Sequence, residues 1–124
     1  MAQQPEHAMD PTIESLTRDL RQFAADRDWE QFHSPKNLAA ALSVEAAELL
    51  EHFQWLTEDE SRNLPGDRRA AVAHEAADVL LYLLQLADKL HIDLAVAARD
   101  KLALNAGKYP AAQVRGSARK YDER

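Results

Sequence analysis

Between Val72 and Leu90 the chain carries Val72, Val79, Leu80, Leu81, Leu83, Leu84 and Leu86, so a helix built from this stretch is apolar on nearly all sides. Such a helix has little polar face to offer water and is expected at the centre of a fold, well buried by other helices. The rest of the sequence supplies those helices. It holds seventeen Leu and twenty-three Ala, strong helix formers, against five Val, two Ile and three Thr. Three Gly and five Pro leave too little turn chemistry for a sandwich or barrel of short strands. The expected fold class is therefore all-α, a bundle of four-helix type, and 124 residues suit one compact domain. We expect residues 1–10 to form a disordered N-terminal segment, 11–110 the helical domain, and 111–124 a basic tail that packs over the site.

Start and stop signals set the expected boundaries. Asp10-Pro11 reads as an N-cap and first-turn proline, opening a helix through Ile13, Leu16, Leu20 and Phe23 to about Asp28. A short aromatic connector, Trp29 to His33, follows. Ser34-Pro35 opens a second helix carrying Leu38, Leu42, Leu49, Phe53 and Leu56, and the polar run Thr57 to Gly66 reads as a reversing loop. Asp67 is the expected cap of the third helix, ending near Leu90. Asp93 is that of the fourth, terminated by Gly107 and Pro110.

Charge narrows the partners. Fifteen Lys and Arg stand against twenty-one Asp and Glu, a formal charge of −6, which gives no global attraction to nucleic acid or anionic lipid. No nucleic-acid or membrane partner is expected, since no apolar run approaches a span and Met1 to Asp10 lack a signal-peptide core. With no Cys, disulfides, thiolate metal sites and a Cys nucleophile are excluded, which suits a cytoplasmic protein.

The most informative residues are acids placed where apolar side chains belong. On a helical wheel Leu38, Leu42, Leu49, Phe53 and Leu56 form one arc, with Glu45 in its middle and Glu48 at its edge. Glu75 and Asp78 interrupt the apolar third helix at the same spacing of three. One Glu-x-x-Glu pair ordinarily marks a solvated face. Two pairs on core-facing arcs of consecutive antiparallel helices can instead converge, and four carboxylates in a half-buried site need protons, bases or a cation to coexist. Mg²⁺ is the economical partner, because it prefers carboxylate oxygens and keeps waters that a phosphate can replace; Mn²⁺ is a possible substitute.

Other residues admit two readings each. Lys101, Asn105 and Lys108 lie three and four apart on the fourth helix, and suit phosphate oxygens as well as they suit a helix end complementing its macrodipole. Trp29 and Trp55, the only tryptophans, fit a stacking wall for a nucleobase or simple packing. Glu30-x-x-His33 has the spacing of half a di-iron site, but no second copy exists, which disfavours iron. His52 and His74 flank the acids as outer partners or as structural histidines. No Gly-rich phosphate loop, serine elbow or His-Glu-x-x-His helix is present.

The ordered segments Asp28-Trp-Glu-Gln-Phe-His33, Glu45-Ala-Ala-Glu48-Leu-Leu-Glu51, Phe53-Gln-Trp55, Glu75-Ala-Ala-Asp78, Asp78-Val-Leu-Leu-Tyr82, Lys101 with Asn105, Lys108-Tyr-Pro110 and Ser117-Ala-Arg-Lys-Tyr121 resemble one family throughout. It is the dCTP pyrophosphatase family of the MazG-like all-α nucleoside triphosphate pyrophosphohydrolases. The resemblance covers about residues 12 to 121 and departs in Ala46-Ala47, where the family has a Gly-containing pair, and in Asn105-Ala-Gly-Lys108, which is less basic. It implies Mg²⁺-dependent hydrolysis of a deoxynucleoside triphosphate, dCTP or a 5-modified dCTP foremost, to monophosphate and pyrophosphate within a homotetramer. By that resemblance Glu45, Glu48, Glu75 and Asp78 hold metal, and Lys101, Asn105, Lys108 and Tyr109 meet phosphates and sugar. Trp29, His33, Trp55 and Tyr82 line the base pocket. The competing expectations are a broad-specificity, dUTP or modified-dNTP hydrolase of the same superfamily, a non-catalytic helical assembly module, a ferritin-like metal protein, and a dimer in place of the tetramer.

Overall fold

The computed structural model describes residues 12–118, all helices and turns with no strand among them. The expected disordered segment 1–10 and the basic residues Arg119 and Lys120 lie outside the described residues. The helices are α1 (Ile13–Asp26), α2 (Pro35–Glu51), α3 (Glu58–Arg62), α4 (Gly66–Lys89), α5 (Leu94–Lys108) and α6 (Ala111–Val114), with a 3₁₀ turn at Glu30–Phe32. They group into two compact units that divide between Ile92 and Asp93.

Local chemistry explains the boundaries, including those that differ from expectation. Helix α1 is capped by Thr12 instead of Asp10: Thr12 Oγ1 accepts from the Ser15 amide at 3.0 Å, and Ser15 Oγ accepts from the Thr12 amide at 2.8 Å. This reciprocal box satisfies two amides that a helix start otherwise leaves unpaired. Ser34 caps α2 as expected, accepting from the Asn37 amide at 3.1 Å, with Pro35 in the first turn. Helix α2 nevertheless stops at Glu51, short of Phe53 and Leu56, because the amides of His52 and Phe53 turn back to Leu49 and Leu50. The run Thr57 to Gly66 is not a plain loop. Thr57 and Glu60 form a second capping box, at 3.1 and 2.8 Å, and nucleate α3. Pro65, not Asp67, precedes α4, which leaves Asp67 in the first turn where a carboxylate complements the helix dipole. Asp93 caps α5 as expected, through the Val96 amide at 3.1 Å. Gly107 does not end α5, which continues to Lys108 before Tyr109 and Pro110.

Two helices end in the same unusual way. Asp28 (φ 53°) and His91 (φ 56°) adopt the left-handed conformation. After α1 the Trp29 amide returns to Ala24 O at 2.9 Å and the Asp28 amide to Ala25 O at 3.2 Å. After α4, Ile92 returns to Ala87 O at 2.8 Å and His91 to Asp88 O at 3.1 Å. Both are Schellman ends, in which the left-handed residue ordinarily is Gly and here is a residue whose polar side chain tolerates it.

In the first unit α4 packs along α2 and along α1. Leu38 of α2 and Leu84 of α4 are its fully buried large side chains, joined by Ala24, Ala87 and Ser15. The expectation of a well-buried α4 is corrected here: only Leu84 and Ala87 of its 24 residues are buried, since two neighbours cannot cover a helix that is apolar all round. Leu80 of α4 and Val44 and Leu50 of α2 remain exposed. The expectation that no stretch reaches spanning length is corrected as well, since α4 is long and apolar enough, by length and composition alone, to cross a membrane. Arg21 of α1 forms a two-point ion pair with Asp88 of α4, its Nε 2.9 Å from Oδ2 and its Nη2 on Oδ1.

The second unit, described by itself, contains α5 and α6. Val96, Leu102 and Leu104 of α5 are exposed, and Asn105 and Tyr109 are half-buried.

Candidate metal and nucleotide site

Helices α2 and α4 place two acids each, three residues apart, so that each pair falls within one turn of its helix. Glu45, Glu48 and Glu75 are half-buried, and each offers one carboxylate oxygen within 4.8 Å of the others. Oε2 of Glu45 and Oε2 of Glu75 are closed off from solvent and have no hydrogen-bond partner. Buried polar atoms ordinarily find partners, so two orphaned acceptors facing a third carboxylate mark a site shaped for something that donates or carries positive charge.

The electrostatics agree. Glu45 is pushed up to about 7, first by the hydrogen bond with Glu48 that favours its protonated form, then by burial, then by the negative charges of Glu48 and Asp78 and a hydrogen bond with Glu75. A proton on Glu45 relieves part of the negative charge gathered in the cluster. Asp78 is near enough to act on Glu45 but is exposed and stands outside the three-carboxylate group. The structure thus brings together three of the four expected acids, with the fourth at their margin. The donor set, all carboxylate oxygen with no imidazole or thiolate, suits a hard divalent cation.

Along α4 a single stripe leads away from the acids. Glu75, Asp78, Tyr82, Gln85 and Lys89 follow at spacings of three and four, within an arc of about 80° at 100° per residue. Tyr82 is half-buried on that stripe, one turn beyond Asp78. Gln85, about 10 Å along the axis from Asp78, lines a water-sized cavity of about 20 Å³ together with Glu30, His33, Arg21, Asp88 and Lys89. His33, half-buried at the end of the 3₁₀ turn, therefore stands over the same face of α4 as the acids.

The two tryptophans differ. Trp29 is 45% exposed and meets Phe23 edge to face, whereas Trp55, in the turn after α2, is 86% exposed. Of the flanking histidines, His52 is the C-cap of α2 and its carbonyl accepts from Arg68 at 3.2 Å, while His74 is exposed on α4. Lys101, Asn105, Lys108 and Tyr109 belong to the second unit, the first three on α5 and Tyr109 as its C-cap.

Arg21, Gln85 and Asp88 are not among the residues that the sequence singles out. The Arg21–Asp88 pair spans 67 positions, and neither residue stands in a recognisable motif, so only the packing of α1 on α4 makes them partners. Gln85 was within reach, because it continues the three-and-four stripe that already held Glu75, Asp78 and Tyr82.

Comparison with known proteins shows the family of the chain. The MazG-like family model matches residues 40–123, a stretch that contains all four acids. The chain is similar to dCTP pyrophosphatase 1 of Homo sapiens, 46% identical over 120 residues that span 92% of this chain and 68% of that protein. The Mus musculus protein of the same name is 46% identical over 116 residues, with the same coverage of 92% and 68%. Among solved structures, a pyrophosphatase from Archaeoglobus fulgidus superposes with a TM-score of 0.75 at 41% identity, over 89% of this chain and 99% of that one. The three-carboxylate cluster, the helical architecture and these likenesses have one explanation: the chain belongs to the MazG-like family, in its dCTP pyrophosphatase branch, and is a diphosphatase-type hydrolase.

Proposed function

We propose that the protein hydrolyses a deoxynucleoside triphosphate, dCTP or a 5-modified dCTP foremost, to monophosphate and pyrophosphate in the presence of Mg²⁺. The observation that carries this reading is the convergence of Glu45, Glu48 and Glu75 with two orphaned carboxylate oxygens. The likeness to dCTP pyrophosphatase 1 supports cytosine as the base.

Glu45, Glu48, Glu75 and Asp78 would hold the metal. When bound, Mg²⁺ neutralises triphosphate charge and polarises phosphate oxygens towards attack by water. A Glu48 carboxylate edge not engaged in binding is suited to take the proton of that water, as a general base. Tyr82 on the α4 stripe and His33, which borders that stripe, are assigned to the base, and Trp29 and Trp55 are assigned to it from the family resemblance. The spacing of about 10 Å along the axis suits a nucleotide whose phosphates and base occupy opposite ends of one stripe. Lys101, Asn105, Lys108 and Tyr109 are assigned to phosphates and sugar from the family resemblance. An acidic protein can then bind a polyanion, because local cations and not net charge set the field at the phosphates.

The exposed Val44, Leu50, Leu80, Val96, Leu102 and Leu104 support self-association, for which the family resemblance favours a homotetramer over a dimer. The lack of Cys suits a reducing cytoplasm.

The test is pyrophosphate release from dCTP, 5-methyl-dCTP, dUTP, dTTP, dATP and dGTP, each with Mg²⁺ and with EDTA. Metal-dependent turnover led by the cytosine nucleotides is expected. Turnover led by another base overturns the base assignment and retains the acids, and the absence of turnover on every nucleotide overturns the function.

A further inference from the structure

Resting on the assignment of Trp29 to the base, we propose that Phe23 is a positioning residue which, with the Schellman end of α1, holds the Trp29 indole as a preformed stacking wall. Three observations fix that indole. Its backbone is tied by the amide of Trp29 on Ala24 O at 2.9 Å and by the left-handed Asp28 immediately before it. Its ring meets Phe23 with centroids 5.8 Å apart and planes at 68°, the T-shaped geometry favoured by aromatic quadrupoles. Phe23 is in turn clamped by Arg27, whose guanidinium carbon lies 3.6 Å from the ring centroid while Nη1 donates to Phe23 O at 3.0 Å.

This arrangement follows from helix termination itself. In a Schellman end the residue after the left-handed position frequently packs against the helix residue five or six places earlier, and here Trp29 meets Phe23, six places back. What sets it apart from ordinary packing is exposure. Phe23 is 46% exposed and Trp29 45%, so the pair is not part of the buried core formed by Leu38, Leu84, Ala24 and Ala87. A T-shaped contact engages an edge or one face of each ring, which leaves an indole face open for a flat partner. The chain supplies a rigid aromatic plane at the connector that also carries His33, the residue bordering the α4 stripe.

Holding the wall in place lowers the ordering cost of binding, so its loss appears in substrate affinity and not in the chemical step. The experiment is steady-state hydrolysis of dCTP with Mg²⁺ by the full chain and by Phe23→Leu, Phe23→Tyr and Trp29→Leu. Phe23→Leu is expected to raise KM about three- to tenfold with kcat within about twofold, and Phe23→Tyr to restore the original KM, because only the aromatic edge is required. An unchanged KM in Phe23→Leu, while Trp29→Leu raises it, overturns the positioning role and leaves the base wall standing. An unchanged KM in Trp29→Leu overturns the base assignment itself. Equal losses of kcat and of thermal stability in Phe23→Leu and Phe23→Tyr reduce Phe23 to a packing residue. Should Phe23→Leu lose its helical fold, Asp28→Ala strains the left-handed turn with Phe23 in place and is expected to raise KM in the same way.

Discussion

The seam between α2 and α4 contains two regions of opposite character. Around Leu38 and Leu84 it is closed, with both side chains at 1% exposure. At Glu45, Glu48 and Glu75 the same two helices bring carboxylates together and leave two of their oxygens without partners. Burial of apolar surface favours folding, whereas bringing like charges together opposes it. The leucines therefore supply stability that the acids draw down, and the acids hold a charge pattern that only a bound cation or a proton relieves. Regions that reduce stability in this way are where function is expected, because nothing else explains their presence in a chain with so few buried residues.

Removing the acids is the change with the largest expected effect. Glu48→Gln and Asp78→Asn are each expected to lower kcat about 10³-fold or more, with thermal stability kept or raised as like-charge repulsion is relieved. Near-normal pyrophosphate release in both variants would discard the metal assignment and with it the contrast between the two regions. The opposite result is expected at the closed region. Leu84→Ala should cost about 2–5 kcal/mol in chemical denaturation by leaving a cavity, with any remaining folded protein still hydrolysing dCTP. A loss under about 1 kcal/mol would show that the seam is not closed there.

A smaller effect sharpens the comparison through pH. Glu45 sits at about 7, above its unfolded value, so the folded metal-free chain holds a proton that the unfolded chain has already released. Its contribution is fully present below the ordinary carboxylate range and is lost as pH rises towards and through about 7. With EDTA, the melting temperature is expected to be lower at pH 8 than at pH 5. Mg²⁺ should close that gap by taking the place of the proton, and Glu45→Gln should remove it. Asp88, held low chiefly by its hydrogen bond with Arg21, acts in the other sense: its contribution is lost only as pH falls through and below the carboxylate range. A pH-independent melting temperature in EDTA would show that the three acids do not share a site.

Much of this was legible in the residues, and the failures are specific. Ser34-Pro35 and Asp93 were readable as helix starts because capping is local chemistry within four residues. Thr57-Glu-Asp-Glu60 is equally local, a capping box written in the sequence that the polarity of the run and the Pro-Gly after it disguise as a loop. The end of α2 at Glu51 was not legible, since the apolar period continues through Phe53 and Leu56 while the backbone has already turned. Left-handed backbone at Asp28 and His91 carries no Gly to announce it.

By itself the sequence determined the helical class, the two acidic pairs at a spacing of three, and the family, because each depends on residue type and on separations of a few positions. Only the tertiary structure decided that Glu45, Glu48 and Glu75 share one site with Asp78 at its margin, that Arg21 reaches Asp88, and that α4 is left largely uncovered. Those outcomes depend on how α1 and α2 are rotated about α4. Helix periodicity fixes which residues share a face, and packing between helices alone fixes which faces meet.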